Sequence, residues 1–348
     1  MHAVVYSSPE DVGVKEVARP EVQKGDVLVR VLSNTICGTD LRIARGLKRK
    51  GVIAPRILGH EVSGRIVELG DGVTGLRVDD RVVLSPTYTC QACAECQRGN
   101  FHLCRNARVQ GHQVDGGLAE YLLVPADAVH AGVIVPISDR VDPVHASLAE
   151  PLSCVLHGQE ILGVTQGDVV LVIGGGAIGL LHAQVAKLRG ARTVILSEPV
   201  RFRRETALRF GADRVVDPMT EDLAAVVLEH SEGEGVDATV VCIGVPQLVN
   251  QALELTRNRG RVSLFAGFPP DSHAAVDANL VHYRELSVVG SSNSTIPDMR
   301  RAVSLIESGR IPIGELITHR YPLDDFDLGV QMIDHPEALK VAILPNAG

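Results

Sequence analysis

His60 and Glu61 stand side by side in Gly59-His60-Glu61-Val62-Ser63-Gly64. An imidazole and a carboxylate are both good ligands for zinc. Neighbouring side chains on a strand point to opposite faces, so the two can share one ion only where the chain bends. Gly59 and Gly64 are the residues read here as permitting that bend. By itself such a pair is more often a surface accident. Cys37, in Ile36-Cys37-Gly38-Thr39-Asp40, and Glu150, in Leu148-Ala149-Glu150-Pro151, change the balance by adding a thiol and a second carboxylate. Taken alone, Cys37 reads as a buried free cysteine and Glu150 as a helix cap before a proline. Together with His60 and Glu61 they make the ligand set of a catalytic zinc.

Four more cysteines follow as Cys90-x2-Cys93-x2-Cys96-x7-Cys104. Four thiolates at this spacing can close a tetrahedral shell around one zinc and leave no position for a substrate, so the reading is a structural site. The rival is an iron–sulfur cluster, whose common run ends in x3 before Cys-Pro; neither feature occurs here. Two disulfides are the other alternative. Farther on, the apolar stretch Val169–Ile173 runs straight into Gly174-x-Gly176-x-Ile178-Gly179, then into a helical pattern to about Arg189, with Glu198 nineteen residues beyond Gly179. That is the spacing of a dinucleotide fold. The glycines let the backbone approach a pyrophosphate at a helix N-terminus, and the carboxylate accepts from the adenosine ribose hydroxyls. A carboxylate there would repel a 2′-phosphate, which favours NAD over NADP; Arg201, Arg203 and Arg204 just behind it are the counter-indication.

These motifs, in this order along the whole chain, resemble the zinc-dependent medium-chain alcohol dehydrogenases, within them the sorbitol (polyol) and threonine dehydrogenase branch. The resemblance implies an α/β protein: a GroES-like irregular β-barrel catalytic domain of residues 1–152 and 291–348, interrupted by a doubly wound Rossmann domain of residues 153–290. It implies two Zn²⁺ per chain. One is held by Cys90, Cys93, Cys96 and Cys104; the other by Cys37, His60 and a carboxylate, Glu61 or Glu150, directly or through water. It makes Thr39 the group that takes the substrate's proton and passes it on. It places Arg203 on the adenosine side of the cofactor, and Ala266, Gly267, Phe268, Ser291 and Asn293 near the nicotinamide half. The implied reaction is NAD-dependent oxidation of a secondary hydroxyl to a ketone by hydride transfer.

Within the branch, Glu150 stands where simple-alcohol dehydrogenases carry cysteine, which leans toward polyols. Thr87 stands where threonine dehydrogenases carry histidine, and Asn293-Ser294 where mammalian-type sorbitol dehydrogenases carry Arg-Tyr. The expected substrate is therefore a polyol, cyclitol or sugar-alcohol-like molecule. An L-threonine 3-dehydrogenase-like or other zinc alcohol dehydrogenase is the alternative, and a non-catalytic or zinc-free relative a more distant one. Homo-oligomers, dimers or tetramers, are usual for the family.

The remaining chain sets the elements that must position these residues. Valine-rich segments at Ala3–Ser7, Val12–Val17, Val27–Leu32, Val62–Leu69 and Arg81–Ser85, punctuated by Pro and Gly, read as an antiparallel β region. Six strands from Val169 to Gly290, most separated by helical patterns, read as a parallel sheet. Pro297–Ser308 reads as a helix and Ala338–Leu344 as a last strand. The run Arg42, Arg45, Lys48, Arg49, Lys50 reads as a solvated loop or as a mouth for an anionic substrate. His112 reads as a surface histidine in preference to a residue near the site, and Cys154 and Cys242 as core residues.

With 348 residues the chain can bury two cores. A net charge of −8 and no Trp argue against a nucleic-acid surface. The apolar region 169–189 is broken by glycines, His182, Gln184 and Lys187, so no membrane span is expected. No basic leader precedes an apolar run at the N-terminus, which with the ligand-like cysteines suggests a cytoplasmic protein.

Overall fold

The computed structural model describes residues 1–9, 11–269 and 272–346. The chain divides into two compact units, Met1–Ser153 with Asn293–Gly348, and Cys154–Ser292.

In the first unit the central strand is Val27–Thr35. It pairs antiparallel with Glu61–Leu69 on one side and with Lys340–Leu344 on the other, and its first half also pairs with Tyr121–Val124. Together with Arg81–Leu84, Ile134–Pro136 and Ile317–Pro322 these make a seven-stranded sheet. His2–Ser8, Asp11–Glu16 and Arg56–Ile57 make a smaller antiparallel one. The alternation of valine with polar residues buries one face: Val27, Val29, Val31, Val62, Ile66, Val82 and Leu84 form one apolar cluster. Each such side chain contributes about 1.5–3 kcal/mol relative to exposure.

Gly59 and Gly64 do different work. Gly59 has φ +94° and makes the bend before His60. Gly64 lies inside the strand Glu61–Leu69 and bends nothing. It is needed because the facing strand comes close, and a Cβ there would run into Val29 and the Arg30 carbonyl.

In the second unit six parallel strands stand in the order Arg214–Val216, Thr193–Ser197, Val169–Ile173, Val236–Val241, Thr256–Leu264, Ser287–Gly290. This is the doubly wound Rossmann order. Val169–Ile173 is buried at every position, as a strand covered on both faces must be. The expected strand Val262–Ala266 is instead Thr256–Leu264, because its early residues pair past an irregularity between Val236 and Ala238. No helix among the described residues is long and apolar enough to cross a membrane.

Candidate active site

Cys37 follows the end of the central strand and caps the short helix Gly38–Ala44. Its sulfur accepts from the Thr39 N–H at 3.5 Å, while its own N–H donates to the Asp40 carboxylate at 2.9 Å. The two contacts make a capping box in which the N-cap is a cysteine. His60 leaves the Gly59 bend, and Glu61 opens the next strand directly opposite Thr35. One ligand atom from each of Cys37, His60 and Glu61 lies within 4.8 Å of the others.

The groups around this trio orient it. Asp40, almost fully buried, lies 3.2 Å from Nδ1 of His60. A carboxylate there keeps the proton on Nδ1 and leaves Nε2 for a metal. Burial opposes charge on His60, but Asp40 and Cys37 outweigh it and hold the imidazole well above its ordinary pKa. Burial likewise opposes charge on Asp40, and His60 draws its pKa down all the same. Glu61, 1% exposed, accepts from the Thr35 hydroxyl and from the Lys340 ammonium, which is itself 7% exposed and lies 2.5 Å from Oε2. Burial acts to lower the Lys340 pKa, but Glu61, Cys37 and Glu150 raise it. Oε2 is taken up by Thr35 and Lys340, but Oε1 accepts from Lys340 alone and retains a lone pair, so Glu61 can reach a metal while Lys340 holds it.

Glu150 sits in the first turn of the helix Ala149–Leu162. Its carbonyl accepts from Ser153, whose hydroxyl meets that of Ser294 at 2.7 Å. It stands outside the Cys37–His60–Glu61 trio but within electrostatic reach of Lys340. Thr39 lies beside Cys37, partly buried. Two positions read as branch markers, Thr87 and Ser294, line one cavity of about 210 Å³ with Phe101, His102, His130 and Arg300.

His112 is not a surface residue. It is 8% exposed, and its ring meets that of His60 edge-on at 5.9 Å between centroids. Burial, then the charges of Lys48 and His60, push its pKa down to about 3, so it is neutral. Cys154 is half-buried; Cys242 is half-buried as a residue, but burial of its thiol pushes the pKa well up, as for a core group. Asp40, Thr35, Lys340 and His112 are the site residues that sequence reasoning missed. Asp40 had a signal, since it lies three residues after Cys37 in the capping-box pattern. Lys340 had a weaker one, a lone cation in the apolar strand Lys340–Leu344.

The cysteine lobe brings its four sulfurs together. Sγ–Sγ distances are 3.5 Å for Cys90–Cys104, 3.6 Å for Cys93–Cys96 and 3.9 Å for Cys93–Cys104. Four thiolates around a tetrahedral zinc stand about 3.8 Å apart, so these distances suit a metal and are far too long for disulfides. Backbone N–H groups of Ala92 and Cys93 lower the Cys90 thiol to about 6, while burial pushes Cys96 up to about 12.

In the nucleotide unit the turn is built as expected. Gly174 has φ +102°, and Gly176 caps the helix Ala177–Leu188 with no side chain covering its first N–H groups. A Cβ on Gly176 would meet nothing within 4 Å, whereas one on Gly179 would run into the Gly174 carbonyl. One face is thus open for a pyrophosphate and the other is closed by packing. Ile178 lies in the first turn. Glu198 is 4% exposed, and its two oxygens accept from Gly175 N–H at 2.7 Å and Val200 N–H at 2.9 Å. Arg201 pairs with Glu205 at 2.7 Å, and Arg204 is tied to Asp217 and to the carbonyls of Glu198 and Pro199. Arg203 is half-buried on the same helix.

Ala266 N–H bonds to the Val241 carbonyl, Gly267 packs on Gly244, and Phe268 and Ser291 are half-buried in this unit. Asn293 belongs to the other unit, with φ +58° and its amide 3.4 Å from the His102 carbonyl.

Two family models match the chain: Alcohol dehydrogenase GroES-like domain over residues 23–136, and Zinc-binding dehydrogenase over residues 177–308. The chain is similar to an L-threonine 3-dehydrogenase of Pyrococcus furiosus, at 37% identity over 92% of this chain and 91% of that one. It is 34% identical to a sorbitol dehydrogenase of Halalkalibacterium halodurans over 95% of each. Its fold matches, with a TM-score of 0.93, 35% identity and 99% of both chains covered, a solved structure from Sinorhizobium meliloti assigned as a zinc-binding dehydrogenase and bound to NADP.

Proposed function

Since this chain belongs to the zinc-dependent medium-chain alcohol dehydrogenase family, we propose that it oxidises a secondary hydroxyl of a small polyhydroxylated substrate to a ketone, with NAD as hydride acceptor. The observation that carries this reading is the Cys37–His60–Glu61 trio, half-buried at Cys37 and buried at His60 and Glu61, with an oriented imidazole, in a chain that also carries an open dinucleotide turn. Bound zinc supplies Lewis acidity toward the hydroxyl, and bound NAD accepts the hydride.

The chain's own residues do the rest. Cys37, His60 and Glu61 hold the ion, with Glu150 as a further group, directly or through water. Asp40 fixes the His60 tautomer, and Lys340 and Thr35 hold Glu61. Thr39, anchored by its N–H to the Cys37 sulfur, takes the proton at its hydroxyl oxygen and hands its own onward. A second zinc on Cys90, Cys93, Cys96 and Cys104 staples the lobe.

NAD is favoured over NADP in this reading because a carboxylate at Glu198 would repel a 2′-phosphate, and Arg201 and Arg204 are committed elsewhere. The 37% identity to an L-threonine 3-dehydrogenase favours a second reading, threonine oxidation. Against it stands Thr87, buried where that branch carries histidine. We also propose a homo-oligomer in the cytoplasm. Among the described residues the strand Ser287–Gly290 ends its sheet with one edge unpaired, and Val288 and the nearby Tyr283 are exposed, a surface suited to a second copy.

The test is reduction of NAD⁺ and NADP⁺ against sugar alcohols, cyclitols, sugar acids, threonine and simple secondary alcohols. Turnover on one polyhydroxylated class with NAD⁺ is expected. Turnover on threonine alone would replace the substrate class, and silence across the panel with both zinc sites filled would overturn the reading.

A further inference from the structure

After the helix Gly38–Ala44 the chain turns back on itself, the N–H groups of Leu47 and Lys48 both bonding the Arg42 carbonyl at 2.8 and 2.9 Å. The loop is then tied to the segment that carries His112. Ile53 N–H bonds the His112 carbonyl at 2.9 Å, and the Gln113 amide bonds the Gly51 carbonyl. The loop that bears the basic run is thereby anchored beside the His60–His112 ring pair.

The cations of that run differ in what they do. Arg45 pairs with Asp334 at 2.6 Å, Arg49 bonds the Gly46 carbonyl, and Lys50 is exposed. Lys48 is half-buried and forms no ion pair among the described residues. Burial lowers its pKa, and the charges that most offset this are those of Cys37 and Asp40. Cys37 is the thiolate a metal would take up, and Asp40 already faces His60. A half-buried ammonium without an ion pair is costly unless a further anion meets it. Nε2 of His112 is a second unpartnered polar atom in the same place, on a residue more than nine-tenths buried.

Resting on the reaction proposed above, we infer that Lys48 and His112 form a receptor for an anionic group on the substrate, a carboxylate or a phosphate carried on the polyhydroxylated skeleton. Lys48 supplies the charge. His112 offers its unpartnered Nε2 to the anion or to a hydroxyl next to it. The substrate class is then a sugar acid or a sugar-alcohol phosphate in preference to a neutral polyol. Lys48 sets specificity and takes no part in the chemistry.

The test uses the zinc-loaded protein and three probes on one skeleton: sorbitol, gluconate and sorbitol 6-phosphate. The expected result is a kcat/KM at least 30-fold higher on one of the anions than on sorbitol, with KM on that anion rising between 50 and 500 mM salt. Lys48→Met is expected to cut the anion-to-neutral ratio at least tenfold, mostly through KM. Lys48→Arg should restore most of it, and His112→Gln should cost less than His112→Ala. The two anions separate a carboxylate receptor from a phosphate one. An unchanged ratio in Lys48→Met, or a wild-type preference for sorbitol, would overturn the inference while leaving the dehydrogenase reading intact. Calorimetric binding of gluconate and of sorbitol 6-phosphate to wild type and Lys48→Met reads the receptor without turnover. Equal affinity in the two proteins, or binding of neither anion, overturns the inference even if no probe is oxidised.

Discussion

Lys340 and Glu61 lie 279 residues apart in sequence and are both buried, with Thr35 closing the second oxygen of the carboxylate. A buried ion pair adds little net stability, but removing one partner leaves the other charged and uncompensated, at about 3–5 kcal/mol. Lys340→Met in the zinc-free protein is therefore expected to lose that much in denaturant unfolding, and Lys340→Met with Glu61→Gln to regain most of it. Strict additivity of the two changes would sink the coupling. His182 gives a second residue-scale prediction. It is fully buried in the nucleotide unit, Nδ1 against Gln159 at 3.2 Å and its ring edge-on to Phe265, and burial pushes its pKa from 6.5 down to about 3. The unfolded chain binds that proton below pH 6.5 and the native chain does not, so stability falls as pH drops from 6.5 toward about 3. The slope from this one group is about 1.4 kcal/mol per pH unit. His182→Gln should flatten the acid limb of unfolding measured at pH 4.5, 5.5 and 6.5; an unchanged slope would refute the buried neutral imidazole.

At the scale of elements, the dinucleotide turn separates what binds from what packs. Gly176→Ala adds a methyl to open space on the side where the pyrophosphate would approach. It is expected to leave thermal unfolding within about 0.5 kcal/mol and to weaken NAD binding at least tenfold by calorimetry. Gly179→Ala must push the helix off the Gly174 carbonyl and is expected to lower stability as well as affinity. If both variants behaved alike, the open-face assignment would fall. This element was legible in the sequence because all its determinants are local: an apolar strand, three glycines at fixed offsets, a helix, and a carboxylate after the next strand. The cysteine lobe was legible for the same reason. The two glycines around His60 were not, since the bend at Gly59 and the close strand approach at Gly64 depend on what lies opposite. His112 was misjudged because nothing near it in the chain says that His60 and a loop 60 residues earlier come to cover it.

At the scale of the whole molecule, the two candidate metal sites differ in how much protein closes them. Four cysteine sulfurs make one; one ligand atom from each of three side chains makes the other. Stepwise chelation is expected to remove metal first from Cys37, His60 and Glu61, abolishing turnover while the thermal transition moves little. Loss of metal from the cysteine lobe should follow, with a marked fall in that transition. Zinc content per chain, activity and unfolding measured on the same aliquots check the order, and simultaneous loss of all three would refute it. What composition alone had established at this scale was an acidic chain large enough for two cores. That the tail from Asn293 onward folds with the N-terminal unit came from family resemblance, because no periodicity encodes a pairing across an inserted domain.

That pairing has a consequence for how the chain is made. The strand Lys340–Leu344 pairs beside the central strand and brings a buried ammonium to Glu61. A ribosome that has released three hundred residues has already exposed Cys37, His60 and Glu61 and completed the cysteine quartet. The carboxylate then has no counter-ion, and the central sheet lacks a neighbour. This centre is complete only once Lys340–Leu344 has been synthesised, long after the cysteine quartet, so the cysteine lobe is the first of the two candidate sites able to close.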